Sequence, residues 1–233
     1  MIRPSSRDGM ARTCRDDLPD GESGIFLQRG LDTKFADLPV GQIDPRARRH
    51  CCKCSLIRRL NLPFGGFDAS LTQITKELRT AFDWLAEQGA SHGIEGPVII
   101  SGWSAGGYLT AFMLDHPKVA AGLSISGVFE LAPLGDSPHV NDKVKLTEVE
   151  IETLSPIRLP GVNKPLAIAY GTGELPAMIG SSRDFHAYRS QSHLPGSLIP
   201  VVKTNHYTIL DELRQPNGAL TRAVVQLAED SAR

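Results

Sequence analysis

From about residue 68 the apolar positions fall into two rhythms that alternate along the chain. Leu71, Ile74, Leu78, Ala81, Phe82 and Leu85 recur at three- and four-residue intervals, the spacing of one helix face. Ser70 followed by Gln73 has the form of a capping box ahead of that face, and Gly89 suits its stop. Pro97 to Gly102 is short and almost wholly apolar, as a strand buried on both faces should be. Ala105 to about His116 is apolar on nearly every side, which predicts a buried helix, and Ala120 to Val128 reads as a second buried strand. A mixed, proline-rich stretch follows from Phe129 to Val162, with one short helix after Thr147. Pro165 to Gly171 is strand-like, residues 180–193 are helical, and Leu198 to Val202 is a further strand. Leu220, Ala223, Val224, Leu227 and Ala228 mark a final amphipathic helix. Strand and helix alternate, which predicts an α/β fold: a mostly parallel sheet with helices on both faces.

Residues 1–67 show neither rhythm. Gly24 to Gln28 and Cys54 to Leu62 are candidate strands, but arginines interrupt the second. The expected division is therefore an irregular N-terminal region, 1–67, and a core, 68–233. Partial disorder and a gene altered upstream of about residue 65 both account for the first region.

Composition narrows the class. With 233 residues, 41% apolar and 22% charged, the chain can bury a full core without metals or disulfides. A net charge of −1 gives no global reason to expect nucleic acid or a membrane surface as partner. The short basic run Arg46 to His50 reads as solvated surface. Cys51, Cys52 and Cys54 cluster beside His50, with Cys14 apart, but no second ligand pair follows that would let the backbone wrap a zinc ion. Free thiols in a reducing compartment are the expectation, with no metal and no cofactor. No apolar run approaches the roughly 18 residues of a membrane span, and the arginine-bearing first fifteen residues lack the apolar core of a secretory leader. The expectation is a soluble, cytoplasmic protein.

Chemistry enters at Gly102-Trp103-Ser104-Ala105-Gly106, a G-x-S-x-G run standing where a buried strand ends and a buried helix begins. A tight turn there would strain Ser104 and lift its hydroxyl above the sheet edge as a nucleophile. A serine needs a base to remove its proton, and the base needs an acid to hold its tautomer. His206 follows the last predicted strand and can loop back over Ser104. Glu174 leaves the end of the preceding strand and is the favoured acid, with Asp184, ten residues on and already helical, the alternative. His116, His139, His186 and His193 read as surface or packing residues. The Ala105 N–H, first of its helix, is placed to donate to a developing oxyanion.

These residues also carry a resemblance. Ser101 to Leu109, Ser124 to Leu134, Ser155-Pro156, Gly171 to Pro176 and Asn205-His206-Tyr207 resemble, in order, the kynurenine formamidase (arylformamidase) branch of the α/β-hydrolase superfamily. The resemblance spans roughly residues 68–230. In that family the acid at the position of Glu174 is commonly Asp, and the histidine is usually followed by Phe where this chain has Tyr207. It implies an acyl-enzyme mechanism acting on a small-molecule amide or ester, such as an N-formyl arylamine. The stretch 129–162, leaving the sheet at the same end, would shape the acyl or aryl pocket. Ester-cleaving relatives share nearly all these motifs, so a small-ester carboxylesterase is the neighbouring reading.

One departure stands out. The family carries a His-Gly-Gly motif upstream, whose backbone N–H groups complete the oxyanion hole, and this chain has none. Gly65-Gly66 directly precedes the first helix and reads as an ordinary loop. A catalytically impaired remnant is therefore a third reading. Missing early strands would also leave a central strand edge open, which invites association, a homodimer being the simplest form.

Overall fold

A computed structural model describes residues 70–92, 96–137, 141–142 and 144–232. The candidate strands before residue 63, the four cysteines, the basic run, the Gly65-Gly66 pair, the division at residue 67 and His139 lie outside the described residues.

The predicted first helix is α1 (Leu71–Gln88), buried along Leu71, Thr75, Leu78, Phe82 and Leu85. Ser70 caps it by accepting the Gln73 N–H, but the Gln73 side chain turns to Glu77 at 2.9 Å, so the reciprocal half of the expected capping box is not made. Gly89 does not stop the chain in a left-handed turn. It stays right-handed, at φ −54° and ψ −42°, and leads into a 3₁₀ turn over Gly89–His92.

Four strands form one parallel sheet in the order β1 (Val98–Trp103), β2 (Val119–Ile125), β3 (Leu166–Gly171) and β4 (Gly196–Val201). Trp103 lies opposite Ile125, Ile125 opposite Ala169, and Gly171 opposite Val201, so all four strands end at one rim. Among the described residues β1 has a neighbour on one side only.

Alternation along β3 shows the two faces. Leu166 and Ile168 pack with Ile100, Phe82, Leu109 and Phe185, whereas Ala167 and Ala169 pack with Trp103, Leu123 and Leu220. The first face is covered by α1 and the crossover helices α2 (Ala105–Phe112) and α4 (Pro176–Gln191); the second is covered by α5 (Ala219–Ser231). Consecutive right-handed crossovers put their helices on one face, and the chain must pass the sheet edge before the last helix can cover the other. Between β2 and β3 lie one helical turn (Ala132–Gly135) and α3 (Glu148–Leu154), capped by a full Thr147–Glu150 capping box. No helix of the described residues is long and apolar enough to cross a membrane.

Two boundaries differ instructively. β2 stops at Ile125, short of the expected Val128, because Ser126 takes a left-handed φ of 51° and turns the chain out of the sheet. α4 starts at Pro176 rather than near residue 180, since proline in the first turn lacks only an N–H that has no helical partner anyway.

Candidate active site

Ser104 sits between β1 and α2 with φ 58° and ψ −119°, a conformation that side chains rarely adopt. The turn is clamped by β2: the Ser104 N–H donates to the Ile125 carbonyl at 2.8 Å, and the Ser124 hydroxyl donates to the Gly107 carbonyl at 2.7 Å. Such close approach needs glycine. A Cβ on Gly102 would stand 2.2 Å from the Gly106 carbonyl oxygen, and one on Gly107 would stand 2.7 Å from that of Ile125. Gly106 differs, for a Cβ there meets no described atom within 4 Å. The second glycine of the motif is therefore not demanded by crowding among the described residues.

His206 lies in the turn after β4, its Nε2 3.1 Å from Ser104 Oγ and its Nδ1 3.2 Å from Glu174 Oε2. With Nδ1 facing a carboxylate, the ring proton resides on Nδ1 and Nε2 is left as the acceptor for the serine hydroxyl. The turn is itself fixed. Asn205 Oδ1 accepts the N–H groups of Tyr207 and Thr208, each at 2.9 Å, and starts the 3₁₀ helix Thr208–Leu213. From below, Trp103 Nε1 donates to the His206 carbonyl at 2.6 Å, and its ring lies 4.8 Å from the imidazole.

Glu174 follows β3 with its side chain fully buried, while that of His206 is 26% exposed. Its Oε1 accepts the Gly171 N–H at 2.7 Å and the Ser126 hydroxyl at 2.6 Å. Burial alone would raise its pKa; hydrogen bonds from His206, Ser126 and Gly171 outweigh that and hold the carboxyl below the ordinary glutamate value. Gly171 also lets the two loops meet: a Cβ there would stand 2.5 Å from the Thr204 carbonyl, which accepts the Gly173 N–H at 2.8 Å.

The structure thus brings Ser104, His206 and Glu174 together, and Ala105 N–H, beside them, has no acceptor among the described residues. Asp184 stands exposed on α4, while the Glu174 carboxylate occupies the place beside the imidazole. His116 is buried just before the start of β2, at the end of the sheet away from the rim, paired with Asp83 at 3.1 Å and packed on Phe82. His186 is half-buried on α4, and His193 is exposed. Three neighbours escaped the sequence reading: Ser126, Trp103 and Asn205. The signal for Asn205 was present, since Asn side chains commonly accept backbone N–H groups a few residues on and so fix turns. Those for Ser126 and Trp103 lie in the pairing across strands. No group of His, Cys, Asp and Glu among the described residues is arranged to hold a metal ion.

No known protein-family profile matches the chain. It is 25% identical to a kynurenine formamidase of Danio rerio over 179 residues, covering 71% of this chain and 58% of that protein. An esterase of Pyrobaculum calidifontis superposes with a TM-score of 0.59 at 13% identity, over 71% of this chain and 63% of the esterase. An acylaminoacyl peptidase of Pyrococcus horikoshii superposes with a TM-score of 0.56 at 15% identity, over 69% of this chain and 28% of the peptidase. An arylesterase gives 0.55 at 16% identity, over 72% and 63%. The chain spans 58% of the length of the curated relative it matches.

Proposed function

We propose that this chain, whose fold is that of the α/β-hydrolases, is a serine hydrolase that cleaves a small amide or ester through an acyl-enzyme. The observation that carries the reading is the relay from Glu174 through His206 to Ser104, closed by contacts of 3.2 Å and 3.1 Å. In the proposed reaction Ser104 Oγ attacks the carbonyl carbon while His206 Nε2 takes its proton. Glu174 holds the Nδ1 proton in place and stabilises the imidazolium. Negative charge gathers on the former carbonyl oxygen, toward the Ala105 N–H. The imidazolium then protonates the departing amine or alcohol as its bond to carbon breaks. Water, deprotonated by the same histidine, releases the acid and restores the serine.

The preferred substrate class is an N-formyl arylamine of the N-formylkynurenine type, supported by the motif resemblance and by the kynurenine formamidase relative. A small-ester carboxylesterase is the second reading, favoured by the esterases among the structural neighbours. Comparing kcat/KM for N-formylkynurenine and p-nitrophenyl acetate separates the two. A ratio favouring the formamide supports the first, and hydrolysis of the ester alone supports the second. Labelling by a fluorophosphonate, lost in Ser104→Ala, tests the serine chemistry common to both; a chain that resists the probe would be an impaired remnant. The absent His-Gly-Gly motif bears on the rate rather than the mechanism, since one missing oxyanion donor lowers turnover by about 100- to 1000-fold.

A further inference from the structure

We infer that Ser126 is a positioning residue of this site, a fourth member that holds the acid, and this rests on the serine-hydrolase reading above. The register of the sheet carries the argument. Trp103 pairs with Ile125 and Ile125 with Ala169, so Ser104 and Ser126 are neighbours, each the first residue beyond its strand. Both have positive φ, 58° and 51°, and both N–H groups continue the sheet's ladder, to Ile125 and Ala169 respectively. The rim then presents, strand by strand, Ser104 after β1, Ser126 after β2, Glu174 after β3 and His206 after β4.

Ser126 is wholly buried, and its hydroxyl donates to Glu174 Oε1 at 2.6 Å. A charge-assisted bond to a carboxylate is among the stronger hydrogen bonds a hydroxyl makes. Its backbone bond to Ala169 does not need the side chain, so the hydroxyl's part in the fold is this contact with the acid. The backbone points the same way. A φ of 51° is natural for glycine and strained for serine, yet a serine stands there, with glycine at the next position. Among the described groups, His206 is the one titratable side chain facing the carboxylate. Ser126 and Gly171 fix Oε1, which leaves Oε2 aimed at Nδ1; without the hydroxyl the carboxylate can turn and the imidazole loses its orientation.

Two variants separate this role from packing. Ser126→Ala removes the hydroxyl, and Ser126→Gly removes it while relieving the strained backbone. The readouts are the rate of fluorophosphonate labelling and an NMR titration of the His206 ring, assigned with His206→Gln. Both variants are expected to label about 10- to 100-fold more slowly, the scale of a lost bond to a charged group. The titration midpoint of the Glu174–His206 dyad is expected to rise, because a carboxylate with one donor fewer attracts the proton more strongly. In a Glu174→Gln background the same substitutions should cost little more, since the effect runs through the acid. Labelling within threefold of the parent in a folded variant, or a full additive loss in that background, overturns the proposal. A parent chain inert to the probe would count against the hydrolase reading alone; the titration still decides, and an unchanged midpoint in both variants refutes the role of Ser126.

Discussion

Replacing Glu174 by Gln exchanges one oxygen for an NH2 group and should disable the site through the placement of protons rather than through shape. Oε1 accepts the Gly171 N–H and the Ser126 hydroxyl, so the amide oxygen must settle there. The amide NH2 then faces His206 Nδ1, where the carboxylate oxygen was at 3.2 Å. A donor facing Nδ1 moves the ring proton to Nε2, and the nitrogen beside Ser104 ceases to be a base. Turning the amide over restores the tautomer but leaves the buried Gly171 N–H against a donor, which costs about 1–3 kcal/mol, or roughly 5- to 150-fold in rate. The imidazolium also loses its anionic partner. The corresponding change in serine proteases lowers turnover by about 10,000-fold, so a loss of about 1,000- to 10,000-fold in kcat is expected here. The assay is hydrolysis of whichever substrate the parent turns over, together with fluorophosphonate labelling. Stability supplies a second reading. A glutamate whose folded pKa is depressed contributes stability that is present above its unfolded value near 4.3 and is lost as pH falls through the folded value. Unfolding curves of the Gln variant should therefore flatten on the acid side relative to the parent. A loss of less than tenfold in kcat would refute the assignment of Glu174 as the orienting acid.

Other outcomes follow from the same contacts. Trp103→Phe keeps an aromatic ring under the imidazole but deletes the bond to the His206 carbonyl, so kcat should fall about threefold to tenfold, with about 1 kcal/mol of stability, and KM should hold. Gly102→Ala should cost more than about 3 kcal/mol in denaturant unfolding, because its Cβ strikes the backbone of Gly106 at 2.2 Å. Gly106→Ala, which meets no described atom within 4 Å, should stay within about 1 kcal/mol of the parent and serves as its control. Glu150 accepts bonds from the backbone and hydroxyl of both Thr72 and Thr147; these outweigh its burial and hold its pKa below the ordinary value. Glu150→Gln should destabilise the chain at pH 7 and show a weaker dependence on pH below about 4.3 than the parent, read by urea melts across that range.

What the sequence made legible was local in origin. Helix α1 and strands β1 to β4 followed from apolar spacing, because each buries a face or faces that the residues themselves define. Ser104, Glu174 and His206 could be singled out because each lies just past a predicted strand, and parallel strands deliver such residues to one rim. The parts that stayed hidden depend on register, which no local pattern encodes. Ser126 looked like the interior of a longer strand, since Ala120 to Val128 carries no charge and only small or apolar residues. Its left-handed turn is visible only once Ile125 is paired with Trp103 on one side and Ala169 on the other. Trp103 sat at the unconstrained position of the motif, and its indole, packed on the α5 face with Ala169 and Val201, finds the carbonyl of a residue 103 positions later in the chain. Gly89 marked the end of α1 correctly, since the helix closes at Gln88 with Gly89 as its C-cap, but the right-handed conformation there was not legible, because glycine permits a left-handed stop without requiring one. The chemistry of the site is thus written twice in this chain. The groups proposed to react are set by residue type at strand ends, and the groups proposed to aim them are set by which strand end lies next to which.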